Sequence, residues 1–176
     1  TGGARGIGRG CALRLAQSGC NIVLVDLLEP EMKSTSDEIR KLGSQCITFA
    51  ADVADYQVAS DVVRDVHTHF GRLDVLVNNA GKSMPVGIRE ITEDQWDQTI
   101  NVNLKSCFNW IQPSAEFMQS GGGGRIVSMS SLNAHSGGVT AAVSKFAYAA
   151  AKAGIIGMTR ALAKELGPQI LINAIC

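Results

Sequence analysis

Short apolar runs alternate along the chain with longer stretches in which apolar residues recur every three to four positions. The runs Asn21–Asp26, Gln45–Ala50, Leu73–Asn78, Arg125–Met129 and Ile170–Ile175 have the length and β-branched content of strands. Between them the helical period predicts helices at about 7–18, 29–42, 55–70, 93–119 and 147–166. Strands that alternate with helices predict an α/β fold, because parallel neighbours need a crossover and the crossover helix covers the sheet as it returns. A parallel sheet covered by helices on both faces is the expected architecture. The patch Gly121–Gly124 reads as a flexible turn between helix and strand.

Composition narrows the function classes. The 176 residues suffice for one domain with a sizeable core, spanning 1–176. Formal net charge is zero, which removes an electrostatic case for nucleic acid or an anionic membrane surface as partner. No apolar run reaches the length of a membrane span. The five cysteines show no CxxC or metal-ligand spacing, and their odd number argues against a disulfide framework, so no metal site and a reducing, cytoplasmic location are expected. His67 and His69, near the end of a polar helix, suggest no metal either.

The opening run Thr1-Gly2-Gly3-Ala4-Arg5-Gly6-Ile7-Gly8 is a glycine-rich turn leading into a helix start. Glycines allow close backbone approach to a pyrophosphate, and the free amides and dipole of the helix start hold the anion. Downstream come Gly19 and the apolar strand ending in Asp26, the context a dinucleotide fingerprint requires. A carboxylate at that position accepts hydrogen bonds from ribose hydroxyls and repels a 2′-phosphate, which favours NAD over NADP. Arg5 is the counter-signal, a cation able to contact such a phosphate.

Tyr148 and Lys152 lie four residues apart within a run of alanines, on one face of a helix. An unperturbed phenol titrates near pH ~10, and bringing it to neutrality takes roughly 4 kcal/mol of stabilisation of the charged form. The Lys152 charge can supply much of that, so the pair suits proton transfer.

These residues together resemble a classical short-chain dehydrogenase/reductase, a family that includes 3-oxoacyl-carrier-protein reductases and sugar or polyol dehydrogenases. The motifs stand in family order: the turn Thr1–Gly8, Asp26, Asp52-Val53, Asn78-Asn79-Ala80-Gly81, Asn101–Leu104, a serine after the strand Arg125–Met129, Tyr148–Lys152 and Ile172–Ile175. The resemblance implies a Rossmann-like, doubly wound parallel sheet. It implies Tyr148 as general acid/base, Lys152 tuning it and holding the nicotinamide ribose, and Ser131 bonding the reacting oxygen. Asn103 would anchor a water linking Lys152 to solvent; as a buried mid-helix amide it suggests a local kink. For the cofactor it implies Gly2, Arg5, Gly6, Ile7, Gly8 and Asp26 along the turn. Asp52 and Val53 would meet the adenine, and Asn78, Ala80 and Gly81 would approach with their backbone. Asp52 has an alternative role as a helix cap, for which Asp55 is better placed. Ser131 has one as a loop serine capping local backbone.

The partner implied is a small alcohol or ketone, and the family's paired helices imply a homotetramer or homodimer. The apolar helix at 147–166, with Ile155, Ile156, Met158, Leu162 and Leu166, is expected to pack on the sheet with one side and on another copy with the other. A strand is expected ahead of Thr1 and a substrate-closing segment after Cys176, so the fold reads as incomplete at both ends. Two alternatives to an NAD-dependent alcohol dehydrogenase are an NADP-dependent 3-oxoacyl-carrier-protein reductase and a non-catalytic dinucleotide-binding scaffold. Between Ser131 and Tyr148 lie more residues than the family's usual dozen or so, so the loop Leu132–Lys145 is expected to bulge near Gly137-Gly138. Within it Asn133, His135 and Val139 are candidate pocket residues.

Overall fold

A computed structural model describes residues 1–138 and 145–176; Val139 lies outside them. The order is α1 (Gly6–Gln17), β1 (Ile22–Asp26), α2 (Glu29–Lys41), β2 (Cys46–Ala50), α3 (Tyr56–Phe70), β3 (Val75–Asn78), α4 (Glu93–Ile100), a π-helical turn (Asn101–Lys105), α5 (Ser106–Ser120), β4 (Gly124–Met129), α6 (Asn133–Ser136), α7 (Phe146–Leu166) and β5 (Ile170–Ile175). All strand pairs are parallel. The α/β expectation holds, with one difference: the strands form two sheets, β1-β2 and β3-β4-β5.

Between β1 and β3 runs a slot with a cavity of about 460 Å³, lined by Val23, Val25, Val75 and Val77 from the strands and by Trp110 and Ser114 from α5. Trp110 Nε1 and Ser114 Oγ are buried there without a hydrogen-bond partner among the described residues. The slot lies where the sequence pattern calls for a strand ahead of the glycine turn.

The larger apolar cluster joins α3 (Val62, Val63, Val66), α5 (Trp110, Ile111, Met118), β4 (Ile126), β5 (Ile170, Ile172) and Ile155 of α7. A second gathers Ala12 and Ala16 of α1, Leu24 of β1 and Met32 and Ile39 of α2. The α7 helix differs from the expectation of two large apolar faces. Ala151 and Ile155 are buried, Met158, Leu162 and Leu166 lean on the same core, and the solvent side carries Ala150, Ala153, Gly157 and Ala161.

The run expected as one helix at 93–119 is interrupted by the π-helical turn. Asn103 Nδ2 donates to Thr99 O at 2.9 Å, a carbonyl that a regular α-helix would pair with the amide of residue 103. At the C-cap the Ser106 amide reaches back to Asn101 O, five residues away, widening the turn. Where a local kink was expected at Asn103, the helix departs from regular α-geometry through this π-helical turn. Gly122, Gly123, Gly137 and Gly138 all have positive φ, and the last two follow α6, at the bend expected in the loop after Ser131.

Candidate active site

The candidate site residues collect along the carboxyl-terminal edge of the strands, where doubly wound sheets leave a crevice. A cavity of about 700 Å³ opens there, bordered by Gly2, Arg5, Gly6 and Ile7, by Asp26, by Ala51–Val53 and by Asn79–Lys82.

The glycine turn is held from three directions. From β1, Val25 O accepts the Gly2 amide at 2.8 Å and Asp26 Oδ2 accepts the Ala4 amide at 3.0 Å. From the loop after β3, Asn79 Nδ2 donates to Thr1 O at 3.1 Å and Gly2 O at 3.0 Å, while the Thr1 hydroxyl accepts the Asn79 and Ala80 amides, each at 3.1 Å. From α2, the Thr35 hydroxyl donates to Ala4 O at 2.9 Å. Gly2 and Gly6 have φ of +63° and +59°, a region that side chains penalise. What remains facing outward is Arg5, Gly6 and Ile7, at the start of an α1 helix with no side-chain cap. Unpaired amides at the positive end of a helix suit a phosphate.

Of the candidate residues, Gly8, Asn78, Asn103, Ser131, Tyr148 and Lys152 do not border this cavity. A Cβ at Gly8 would lie 2.1 Å from Gly2 O, so this glycine permits α1 to pack on the turn. The Asn78 amide points to Ser128 Oγ at 3.3 Å, inside the sheet.

At the end of β1 both oxygens of Asp26 are fixed: Oδ1 accepts the Leu27 and Leu28 amides at 2.8 and 3.2 Å, and Oδ2 accepts the Ala4 amide. Beyond β2, Asp52 borders the cavity and its Oδ1 accepts the Ala54 amide at 2.9 Å. The capping alternative belongs to Asp55, which accepts the Val58 amide at the start of α3. This loop is moored by Asn109 of α5, whose Nδ2 donates to Val53 O at 3.2 Å and Ala54 O at 2.9 Å. The sequence did not mark Asn109, and Asn79 was expected only as part of the Asn78–Gly81 stretch whose backbone approaches the cofactor and braces the sheet. Their partners lie 55 or more residues away, so no local spacing announces them.

Behind Gly81 lies Lys152, 4 % exposed, with its Nζ 5.6 Å from the Tyr148 ring centroid. The ammonium donates to Met129 O at 2.6 Å, and a Cβ on Gly81 would lie 3.5 Å from it. Burial lowers the Lys152 pKa, with Cys107 opposing, because an ammonium loses hydration there. Asn103 is fully buried; its Oδ1 accepts the Lys82 amide at 3.0 Å and its Nδ2 donates to Lys82 O at 2.8 Å. It thereby fixes the backbone next to Gly81.

Ser131 is half-buried at the end of β4, and its Oγ accepts the Asn133 amide at 3.2 Å. The local capping role is thus present, and the hydroxyl proton stays free for a second partner. Ser128 and Ser130 are buried, as the strand alternation requires. His135 is exposed, with Nε2 3.7 Å from Cys176 Sγ. No group of three metal-ligating side chains is assembled among the described residues.

The donor set fits a dinucleotide. An uncapped helix start with a flanking arginine suits a pyrophosphate, a preoriented carboxylate suits a ribose, and the Lys152 ammonium lies behind Gly81 of the crevice. A parallel α/β sheet with this crevice, and a half-buried tyrosine beside a buried lysine, defines the class of nicotinamide-dependent oxidoreductases.

The family model described as short chain dehydrogenase matches residues 1–176, and the chain belongs to that family. It is 40 % identical over 176 residues to the (2S)-[(R)-hydroxy(phenyl)methyl]succinyl-CoA dehydrogenase subunit BbsD of Thauera aromatica, covering 99 % of this chain and 69 % of that protein. It is 38 % identical to the 3-oxoacyl-[acyl-carrier-protein] reductase FabG of Thermotoga maritima, covering 99 % and 70 %. The fold superposes with a TM-score of 0.90 on carveol dehydrogenase from Mycobacterium avium in complex with NAD, at 32 % identity, covering 98 % of this chain and 66 % of that one. The protein is an oxidoreductase of the alcohol/ketone couple that uses NAD or NADP. Among the described residues no helix is long and apolar enough to cross a membrane.

Proposed function

We propose that this protein is an NAD-dependent dehydrogenase of a secondary alcohol, with Tyr148 as the general base. The observation that carries the reading is the Lys152 ammonium, buried behind Gly81 of the crevice and 5.6 Å from the Tyr148 ring. When bound, the nicotinamide supplies the redox chemistry by taking up a hydride.

The residues do the rest. Tyr148 removes the hydroxyl proton of the alcohol, and the positive charge of Lys152 favours the phenolate that does so. Ser131 donates its hydroxyl proton to the substrate oxygen as negative charge develops there. Asn103 keeps the Lys82 backbone in place and so shapes the entrance beside Lys152. Gly2, Gly6 and Ile7 offer backbone to the pyrophosphate, while Asp52, Val53, Ala80 and Gly81 frame the adenine and nicotinamide halves. The fixed carboxylate of Asp26 prefers a ribose with both hydroxyls, hence NAD. Gly8 and Asn78 belong to the same site only as backbone supports.

Arg5 favours a second reading. It is exposed at the mouth of the turn and suits a 2′-phosphate, as an NADP-dependent 3-oxoacyl-carrier-protein reductase would require. Titration with NADH and NADPH separates the two. Our reading also places the protein in a reducing cytoplasm, consistent with its five free thiols. It includes a homodimer or homotetramer that pairs the small-residue face of α7, measurable by light scattering.

Tyr148→Phe in the full-length protein tests the chemistry. It should bind NADH normally and lose turnover by about two to four orders of magnitude; a near-normal rate refutes the proton-transfer role.

A further inference from the structure

Three consecutive residues at the end of β4 all serve the candidate site. Met129 O accepts the Lys152 ammonium at 2.6 Å. Ser131 is the candidate donor to the reacting oxygen. Ser130, between them, takes no part in that proton transfer, yet its hydroxyl donates to the backbone carbonyl of Lys152 at 2.8 Å in a buried setting. Ser130 is 8 % exposed and Lys152 4 %, so water does not compete for this bond. Its own position is fixed by its amide, which donates to Ile175 O of β5 at 2.7 Å.

The rest of the contact between α7 and the sheet is apolar. Ala147, Ala151 and Ile155 are the buried apolar residues of that helix, and no side chain caps its first turn. Small smooth residues set the distance between helix and sheet without fixing the helix along its axis, because dispersion contacts are non-directional. A hydrogen bond is directional. Among the described residues, the two side-chain hydrogen bonds from α7 to the sheet both end on Lys152, one at its carbonyl and one at its ammonium.

We infer that Ser130 is a positioning residue for the dehydrogenase reaction: it sets the axial register of α7 against β4 and so fixes the Lys152 ammonium relative to Tyr148. This rests on the proton-transfer reading of Tyr148 and Lys152. If the ammonium bond alone held the helix, the ammonium would be free to swing on its four-carbon stem, with α7 following. With the carbonyl also tied, the stem starts from a fixed point, and the ammonium and phenol keep their separation when the cofactor draws on the lysine.

The test compares Ser130→Ala, Ser130→Cys and Ser130→Thr with Tyr148→Phe in the full-length enzyme, each checked for fold by circular dichroism. Ser130→Ala is expected to lower kcat about 10- to 100-fold with little change in substrate KM, as a small displacement of a charged group does. It should also move the pH midpoint of kcat for alcohol oxidation upward by about one unit, since the phenolate loses part of its nearby charge. Ser130→Cys, near-isosteric with a weak donor, should match Ala. Ser130→Thr, which keeps the hydroxyl, should restore both the rate and the midpoint. An unmoved midpoint in the Ala and Cys variants overturns the inference whatever their rates, and so does a folded Thr variant as impaired as Ala. Normal turnover by Tyr148→Phe is a different failure, which strikes the reading beneath it.

Discussion

The Asp26 carboxylate receives the Ala4 amide at 3.0 Å, so the residue proposed to meet the ribose also pins the glycine turn proposed to meet the pyrophosphate. The charge at the end of β1 and the backbone geometry of the glycine turn are thereby coupled. A change at residue 26 acts on both.

Asp26→Ser removes the charge that repels a 2′-phosphate and weakens the support of the turn. NADH binding should weaken, and the NADPH-to-NADH affinity ratio should rise by about 10- to 100-fold, the scale of one charge-assisted hydrogen bond. Fluorescence titration with both nucleotides measures it, and an unchanged ratio removes Asp26 as the discriminating residue.

Two glycines of α1 should respond oppositely to alanine. A Cβ at Gly8 would meet Gly2 O at 2.1 Å, and that oxygen belongs to backbone held by Asn79, so Gly8→Ala should displace the turn and lose cofactor binding. At Gly10 nothing lies within 4 Å of the added carbon. Gly10→Ala should therefore raise stability by about 0.5–1 kcal/mol through helix propensity alone, with cofactor affinity intact. Thermal melting and NADH titration of the pair check both outcomes.

Burial lowers the Lys152 pKa below the ordinary lysine value. Between the lowered folded value and the ordinary unfolded one, the unfolded chain binds more protons, so stability of the cofactor-free protein should rise with pH across that alkaline window. Below the folded value both states are protonated and the desolvation cost is present in full. Lys152→Met should abolish this rise. Denaturant unfolding of both proteins from neutral pH upward reveals it; parallel curves would show that Lys152 is not the group responsible.

The strands were legible because each is a short apolar run between turn residues, and the structure places them within two residues of the expected bounds. The interruption of the 93–119 helix was foreshadowed only by the burial expected of Asn103; its cause is a side-chain amide that takes Thr99 O and clamps Lys82. The short α6 went unseen, since four residues are too few to show a period. The side-chain clamps of Asn79 and Asn109 were unmarked for another reason. Their work is to join segments that only folding brings together.

The sequence by itself determined the α/β alternation, the glycine turn, the acidic strand end and the Tyr148–Lys152 spacing, because periodicity and helical repeat are properties of neighbouring residues. Tertiary structure decided which residues face the crevice: it turned Asn78 and Gly8 inward, moored the Val53 loop on Asn109 and tied the Lys152 backbone to Ser130. Those are long-range hydrogen bonds and close packings, and their energy depends on distances that no local pattern encodes.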